Sequence, residues 1–181
     1  MAPLLGIAAW SGTGKTTLLK QLIPLLSASG LRVGLIKHTH HNMEIDKPGK
    51  DSYELRKAGA IQTLAASSRR WALITETPEE REPDLMYLAS RMDSSHLDLI
   101  LVEGFKHEPV AKILLYRNGT GHLPDELEID AHTLAVASDI PLLLPVLQLD
   151  LNAPHDIAKF IISWLESQKI QEREYGMLVG I

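Results

Sequence analysis

Ala9-Trp10-Ser11-Gly12-Thr13-Gly14-Lys15-Thr16-Thr17 closes the short apolar run Leu4 to Ala9 and opens a leucine-rich segment, Lys15 to Ser29. Strand, glycine loop and helix in that order match the phosphate-binding P-loop pattern, except that Ala9 stands where the pattern has its first glycine. Gly12 and Gly14 let the backbone curl round an anion without Cβ clashes, so successive N–H groups can point inward. The helix opening near Lys15 adds the positive end of its dipole. Lys15 is the candidate to reach β- and γ-phosphate oxygens, and the Thr16 hydroxyl the candidate ligand for Mg²⁺. Ser11, Thr13 and Thr17 complete the set of candidate nucleotide-contacting residues. A glycine-rich surface turn would share this composition, but the position between strand and helix favours a phosphate cradle.

Outward from the loop, Leu18, Leu19, Leu22, Ile23, Leu25 and Leu26 give Lys15 to Ser29 a broad apolar helical face. Pro24 is expected to kink that helix or shorten its last turn, and Gly30 to supply a left-handed cap. With a strand predicted at Arg32 to Lys37, the opening fifth of the chain is one βαβ unit. Thr39 to Lys50, with Pro48 and Gly49, predicts a surface loop. Asp51 and Glu54 have capping-box spacing and open a short helix that stops at Gly59. Ile61 to Ala66 and Trp71 to Thr75 flank a turn and read as a hairpin or as two strands of the main sheet. Pro78 to Pro83 is an acidic linker, followed by a short amphipathic helix carrying Leu85, Met86, Leu88, Ala89 and Met92.

Leu97 to Val102 is almost continuously apolar, as in a strand covered on both faces. Val110 to Tyr116 and Thr133 to Ala137 are further strands. Asn152 caps a last helix with Ile157, Phe160, Ile161, Trp164 and Leu165 on one face. Beyond Ser167 the pattern fails, so residues 168–181 are expected as a frayed tail. The whole predicts an α/β chain: a P-loop NTPase-like three-layer fold with a mostly parallel central sheet and an additional β-hairpin region. Residues 1–167 are expected to form a single P-loop nucleotide-binding domain.

The chain has 181 residues, 45% hydrophobic and 23% charged, which suits one folded domain and excludes a disordered or rod-like chain. With no cysteine, it can have no disulfide, thiolate metal site or cysteine nucleophile. The formal charge of -5 gives no global attraction to nucleic acid or anionic lipid, so neither is an expected partner. Proline or polar residues interrupt apolar stretches such as Ile140 to Leu147, and Met1 to Trp10 lacks a positive leader, so a cytoplasmic protein is expected.

A P-loop needs a carboxylate at the end of a neighbouring strand to hold the metal or its water shell. Glu103, after Leu99-Ile100-Leu101-Val102 and before Gly104, is in that position, while Asp98 lies near the strand's other end. Lys37-His38-Thr39-His40-His41 directly follows the second strand, where ligands of open α/β sheets sit. Its histidines could contact phosphate or solvent, or hold a transition metal, although no cysteine is present to help. In Asp46-Lys47-Pro48-Gly49-Lys50-Asp51-Ser52, a switch-like loop, Asp46 or Asp51 could approach Mg²⁺ and Lys47 or Lys50 could bind an anionic substrate, with a solvated charged loop as the alternative. Guanine presents adjacent N1–H and N2–H₂ donors, which one carboxylate accepts as a fork. Asp139, after a late buried strand, is the candidate guanine reader, with a plain turn aspartate as the alternative.

Together, the loop Ser11 to Thr17, Leu35-Ile36-Lys37-His38-Thr39-His40-His41, the run Asp46 to Gly59 and Leu99 to Lys106 resemble the MobB family, the molybdopterin-guanine dinucleotide biosynthesis adaptor proteins. The histidine phrase and Asp46 to Tyr53 are far more specific than the P-loop, and the resemblance covers nearly all of residues 4–166. It implies a GTP- and Mg²⁺-dependent binding protein with at most weak GTPase activity. It also implies a homodimer that works with a separate molybdopterin guanylyltransferase on molybdopterin or its molybdenum-bound form. Lys15 and Glu103 are the residues expected to carry any hydrolysis. The same loop would also suit a small-molecule kinase, although no arginine-bearing lid surrounds Arg69 and Arg70, or a metallochaperone GTPase using His38, His40 and His41.

Overall fold

The computed structural model describes residues 1–39, 43–77, 79 and 81–179. In chain order the elements are β1 (Leu4–Ala8), α1 (Lys15–Ala28), β2 (Val33–Lys37), α2 (Asp51–Lys57), β3 (Gln62–Ala66), β4 (Trp71–Thr75) and α3 (Leu85–Ser90). Then come β5 (Leu99–Glu103), β6 (Lys112–Tyr116), β7 (Thr133–Ser138), β8 (Leu147–Asp150) and α4 (Pro154–Val179). The chain divides into two compact units, Met1–His38 with Asp84–Ile181, and Thr39–Pro83.

The first unit is built on a six-stranded sheet of order β2-β5-β1-β6-β7-β8 in which every neighbouring pair is parallel. β5 and β6 are buried along their whole length, as the unbroken apolar runs of a doubly covered strand require. Alternation along the strands separates two cores. Leu5, Ile7, Leu101 and Ile113 face α1 and α4, where they meet Leu22, Leu26, Ile157 and Ile161. Each fully buried leucine or isoleucine there contributes on the order of 2 kcal/mol relative to exposure. On the other face, Leu85 and Ala89 of α3 cover Ile36, Ile100 and Val102. Ala8, Leu114 and Val136 are covered by Trp10, Leu127, Ile129, Leu142 and Val146, Leu127 following a short 3₁₀ helix at Pro124–Glu126.

Pro24 lies inside α1, and Gly30, at φ +85°, follows the helix end at Ala28 as expected. Two local features differ from the sequence reading. Residues 147–150 form β8, unrecognised because its four residues sit just beyond Pro141 and Pro145. Residues 168–179, expected as a frayed tail, are helical. The buried face of α4 ends at Leu165, so the periodic pattern stops there, while Lys169, Gln171 and Arg173 are good helix formers that need no sheet to face. Among the described residues no helix is long and apolar enough to cross a membrane.

Lys112 is almost wholly buried at the start of β6, and its Cβ lies 3.1 Å from where a Cβ on Gly6 would stand. Its Nζ donates to Asp130 Oδ2 (2.9 Å) and to the Lys106 carbonyl (3.1 Å). The Lys112 ammonium beside it pulls the Asp130 carboxyl down to about 2.

In the second unit β3 and β4 pair antiparallel as a separate two-stranded sheet, the hairpin alternative of the sequence reading. The capping box does not form: Lys50 is the N-cap, without a side-chain hydrogen bond, and Glu54 Oε1 accepts instead from the Gly49 N–H (3.2 Å). Arg56 is buried between Glu44 and Glu76, at 2.6 Å from each, and this fork anchors the unit. The Leu64↔Leu73 and Ala66↔Trp71 pairs put Leu64, Leu73 and Trp71 on one face of the hairpin, where all three are exposed.

Candidate nucleotide site

The loop after β1 has the backbone that an anion cradle needs. Gly12 and Gly14 have φ of +81° and +103°, in the left-handed region that glycine adopts at low cost. A Cβ at Gly12 would meet nothing within 4 Å, so conformation rather than crowding demands glycine there. Gly14 is the N-cap of α1, with no side-chain cap and no acidic residue in the first turn. The first N–H groups of α1 therefore have no intrahelical acceptor and no carboxylate from their own turn. Thr16 is exposed, as an Mg²⁺ ligand must be, whereas Thr13 is fully buried with its Oγ1 lacking a hydrogen-bond partner. This donor set fits a bound phosphate group.

Lys15 Nζ donates to the carbonyls of Ala9 (2.8 Å) and Trp10 (3.1 Å), folding the side chain back along the loop. Burial holds its pKa below the ordinary lysine range, with Lys37 lowering it further and Glu103 acting the other way. Glu103 is the buried last residue of β5 and stands in register with Ile7 of β1 and Lys37 of β2. Lys37 Nζ lies 3.6 Å from Glu103 Oε2. The next residue, Gly104, has φ +94°, and a Cβ there would come within 2.8 Å of His38 Cβ. The His38 N–H donates to the Glu103 carbonyl (2.8 Å), which continues the β2–β5 ladder to the edge of the site.

The structure thus brings Lys15, Thr16 and Glu103 to the carboxyl ends of adjacent strands, as the sequence suggested, with Lys37 of the histidine phrase beside Glu103, and adds one cation. Arg117 follows β6 and was not anticipated. Its Nε donates to the Thr13 carbonyl (3.1 Å), its terminal nitrogen lies 3.8 Å from a Cβ built on Gly14, and Nη1 is 3.7 Å from Asp139 Oδ2. The rule that ligands gather where parallel strands end would have found it, once β6 was known to lie beside β1.

Asp139 follows β7, where its Oδ1 accepts the Asn118 N–H (2.8 Å). Its carboxylate therefore fastens the turn after Arg117. Asp98 is at the far end of β5, where Arg32 binds it through Nε (2.9 Å) and Nη2 (3.1 Å) and pulls its carboxyl down to about 2. Its part is to clamp β2 to β5. Asp46 belongs to the second unit; Oδ1 accepts the Lys47 N–H (2.9 Å) and Oδ2 is buried without a hydrogen-bond partner. The His38 ring is 5.2 Å from that of Phe105, while His40 and His41 lie outside the described residues. Among the described residues no group of three or more His, Asp or Glu side chains could hold a metal ion.

Residues 4–139, from the first strand through Lys15, Lys37, Glu103 and Arg117 to Asp139, match the family model of MobB, molybdopterin guanine dinucleotide synthesis protein B. The chain belongs to the MobB family. It is 67% identical over 168 residues to the molybdopterin-guanine dinucleotide biosynthesis adapter protein of Escherichia coli (strain K12), covering 93% of this chain and 96% of that one. The protein of the same description from Haemophilus influenzae is 52% identical, covering 90% and 89%. A crystal structure of molybdopterin-guanine biosynthesis protein B (mobB) superposes with a TM-score of 0.70 at 29% identity, covering 89% of this chain and 99% of that one.

For this MobB-family chain, the lowered pKa of Lys15 has a consequence for binding. The charged form is the one that binds phosphate, so affinity is expected to decline as pH rises, starting below the usual lysine range. Titrating nucleotide across the alkaline range checks this. In a Lys15→Arg variant, whose guanidinium stays charged, the decline should disappear.

Proposed function

We propose that this chain binds GTP with Mg²⁺ at its P-loop and acts in the cytoplasm as an adaptor in molybdenum cofactor biosynthesis, assisting conversion of molybdopterin to molybdopterin-guanine dinucleotide. The observation that carries this reading is the convergence of Lys15, Lys37 and Glu103 on the uncapped N-terminus of α1. Loop amides and Lys15 hold the β- and γ-phosphates; Thr16 and Glu103 are the residues that would hold Mg²⁺ directly or through water. When bound, the metal neutralises charge on the phosphates. Lys37 Nζ, 3.6 Å from Glu103 Oε2, is a counter-ion beside that carboxylate. Asp139, beside Arg117, is the candidate to accept the paired N–H donors of guanine, sharing a carboxylate that already holds Asn118.

Arg117 is the guanidinium that the described residues bring to the P-loop, and it is tied to Thr13 and placed beside Asp139. Being so held, it is poorly free to meet charge developing on a transferred phosphoryl group, so intrinsic hydrolysis should be slow. Guanylyl transfer belongs on this reading to a separate guanylyltransferase. The exposed apolar face of Leu64, Trp71 and Leu73 supports a homodimer.

Calorimetry with GTP and ATP, each with Mg²⁺, tests the proposal. GTP should bind more tightly, and equal or tighter binding of ATP would count against it. Added to a guanylyltransferase reaction, the chain should raise dinucleotide formation, and the Lys15→Ala variant should not.

A further inference from the structure

Beside the P-loop, where Leu127 and its neighbours pack on Leu114, a cleft of about 270 Å³ opens. Leu114 and Leu127 give it an apolar floor, and Trp10, Lys106, Glu126 and Glu128 line its sides. Both sides are fixed from behind. Trp10 stacks on His122 (4.3 Å between ring centroids, 9° between planes), whose Nδ1 lies 2.8 Å from Glu126 Oε2. Tyr116 meets Trp10 edge-on and donates its hydroxyl to the His122 carbonyl (3.2 Å). On the opposite side Lys112 grips the Lys106 carbonyl and Asp130 together.

We propose that this cleft binds a fused 2-amino-4-oxopyrimidine ring system, the half that guanine and the pterins share. The proposal rests on the reading of the chain as an adaptor in molybdopterin guanylylation, and deepens it by assigning a second ligand site. Such a ring presents a ring N–H beside an exocyclic amine, a donor pair that one carboxylate accepts as a fork. Glu126 and Glu128 supply acceptor-only carboxylates, and Glu126 retains acceptor capacity beyond its single contact with His122. Lys106 supplies a cation for the ring carbonyl or for an anionic substituent. The leucine floor and Trp10 supply flat apolar contact for the ring faces.

Size and position sharpen the assignment. Pockets for drug-sized ligands begin at about 300 Å³, so this cleft holds one bicyclic ring system and not a whole dinucleotide. Ala9 and Trp10 line the cleft, and their carbonyls also accept from Lys15 Nζ. A phosphate that draws Lys15 forward therefore acts on the same two residues that shape the cleft, which couples the two sites through one loop.

Fluorescence titration with pterin-6-carboxylate, alone and with Mg·GTP present, tests this. The pterin should bind with its emission quenched, and Glu126→Gln and Glu128→Gln should each weaken it roughly tenfold, as expected on losing a charge-assisted hydrogen bond. Glu128 is exposed, so its variant stays informative even where Glu126→Gln loosens the His122 contact. Pterin binding undisturbed by GTP marks a pterin site. Mutual competition, with the glutamine variants narrowing the preference for GTP over ATP, marks the guanine of the nucleotide as the occupant, read in the cleft and not by Asp139. No binding by the wild-type protein of either ring in the cleft, or equal binding by wild type and both variants, overturns the proposal. Failure of GTP to bind at all, with pterin binding and its glutamate dependence intact, would instead defeat the functional reading while leaving the cleft assignment standing.

Discussion

Lys15→Ala is expected to weaken Mg·GTP binding by about 10- to 100-fold while leaving the protein folded. The variant removes the ammonium that would meet the phosphates, and a charge-assisted hydrogen bond is worth about 1.5–3 kcal/mol at 1.4 kcal/mol per tenfold. In the fold itself Lys15 donates only to the Ala9 and Trp10 carbonyls of its own loop, and burial already disfavours its charge. Removing it therefore relieves a desolvation cost as it removes two contacts, and the melting temperature should change little. Calorimetry with a parallel thermal melt separates the two effects. Unchanged affinity in a folded variant would sink the phosphate assignment, because no other side chain on the loop offers a cation at that position.

The largest stability effect is expected from Asp130→Asn. Lys112 is buried in the sheet, so its ammonium would lose its counter-charge and keep only neutral acceptors, the Lys106 carbonyl and the introduced amide oxygen. Breaking a fully buried ion pair costs about 3–5 kcal/mol. The Asp130 side chain is 46% exposed, and solvent screening reduces the expected loss to about 2–3 kcal/mol. That should lower the melting temperature by roughly 5–10 °C. A Lys112→Met, Asp130→Asn double variant should recover much of the loss, since the apolar side chain no longer needs a partner. The pH dependence follows from the same pair. Asp130 titrates lower in the folded chain than the ordinary aspartate near 3.9, so its contribution is present above that value and is lost as pH falls toward about 2. In Asp130→Asn this part of the acid sensitivity should be missing.

Both variants bear on how much of this protein a reader of its sequence can see. The loop after the first strand was legible because the requirement is local: Gly12 and Gly14 must take positive φ within a few residues of Lys15 and Thr16. Glu103 was legible for a related reason, an apolar run ending in a carboxylate and a glycine. Asp98 and Asp139 show where that logic ends. Each is a carboxylate beside a strand, yet one is gripped by Arg32 and the other by the Asn118 amide, contacts spanning 66 and 21 residues. β8 was too short to show a period between its prolines, and α4 outruns its buried face.

Sequence alone determined the βαβ start, the glycine loop with its positive-φ backbone, the strand that delivers Glu103 and the family resemblance, because each resides in a contiguous stretch with its own backbone demands. Tertiary structure alone decided that Lys37 faces Glu103, that Arg117 reaches Thr13, that Lys112 clasps Asp130 and that Trp10 walls a cleft. Those pairings depend on strand order, and strand order is set by the burial of many distant side chains at once, a property that no single segment carries.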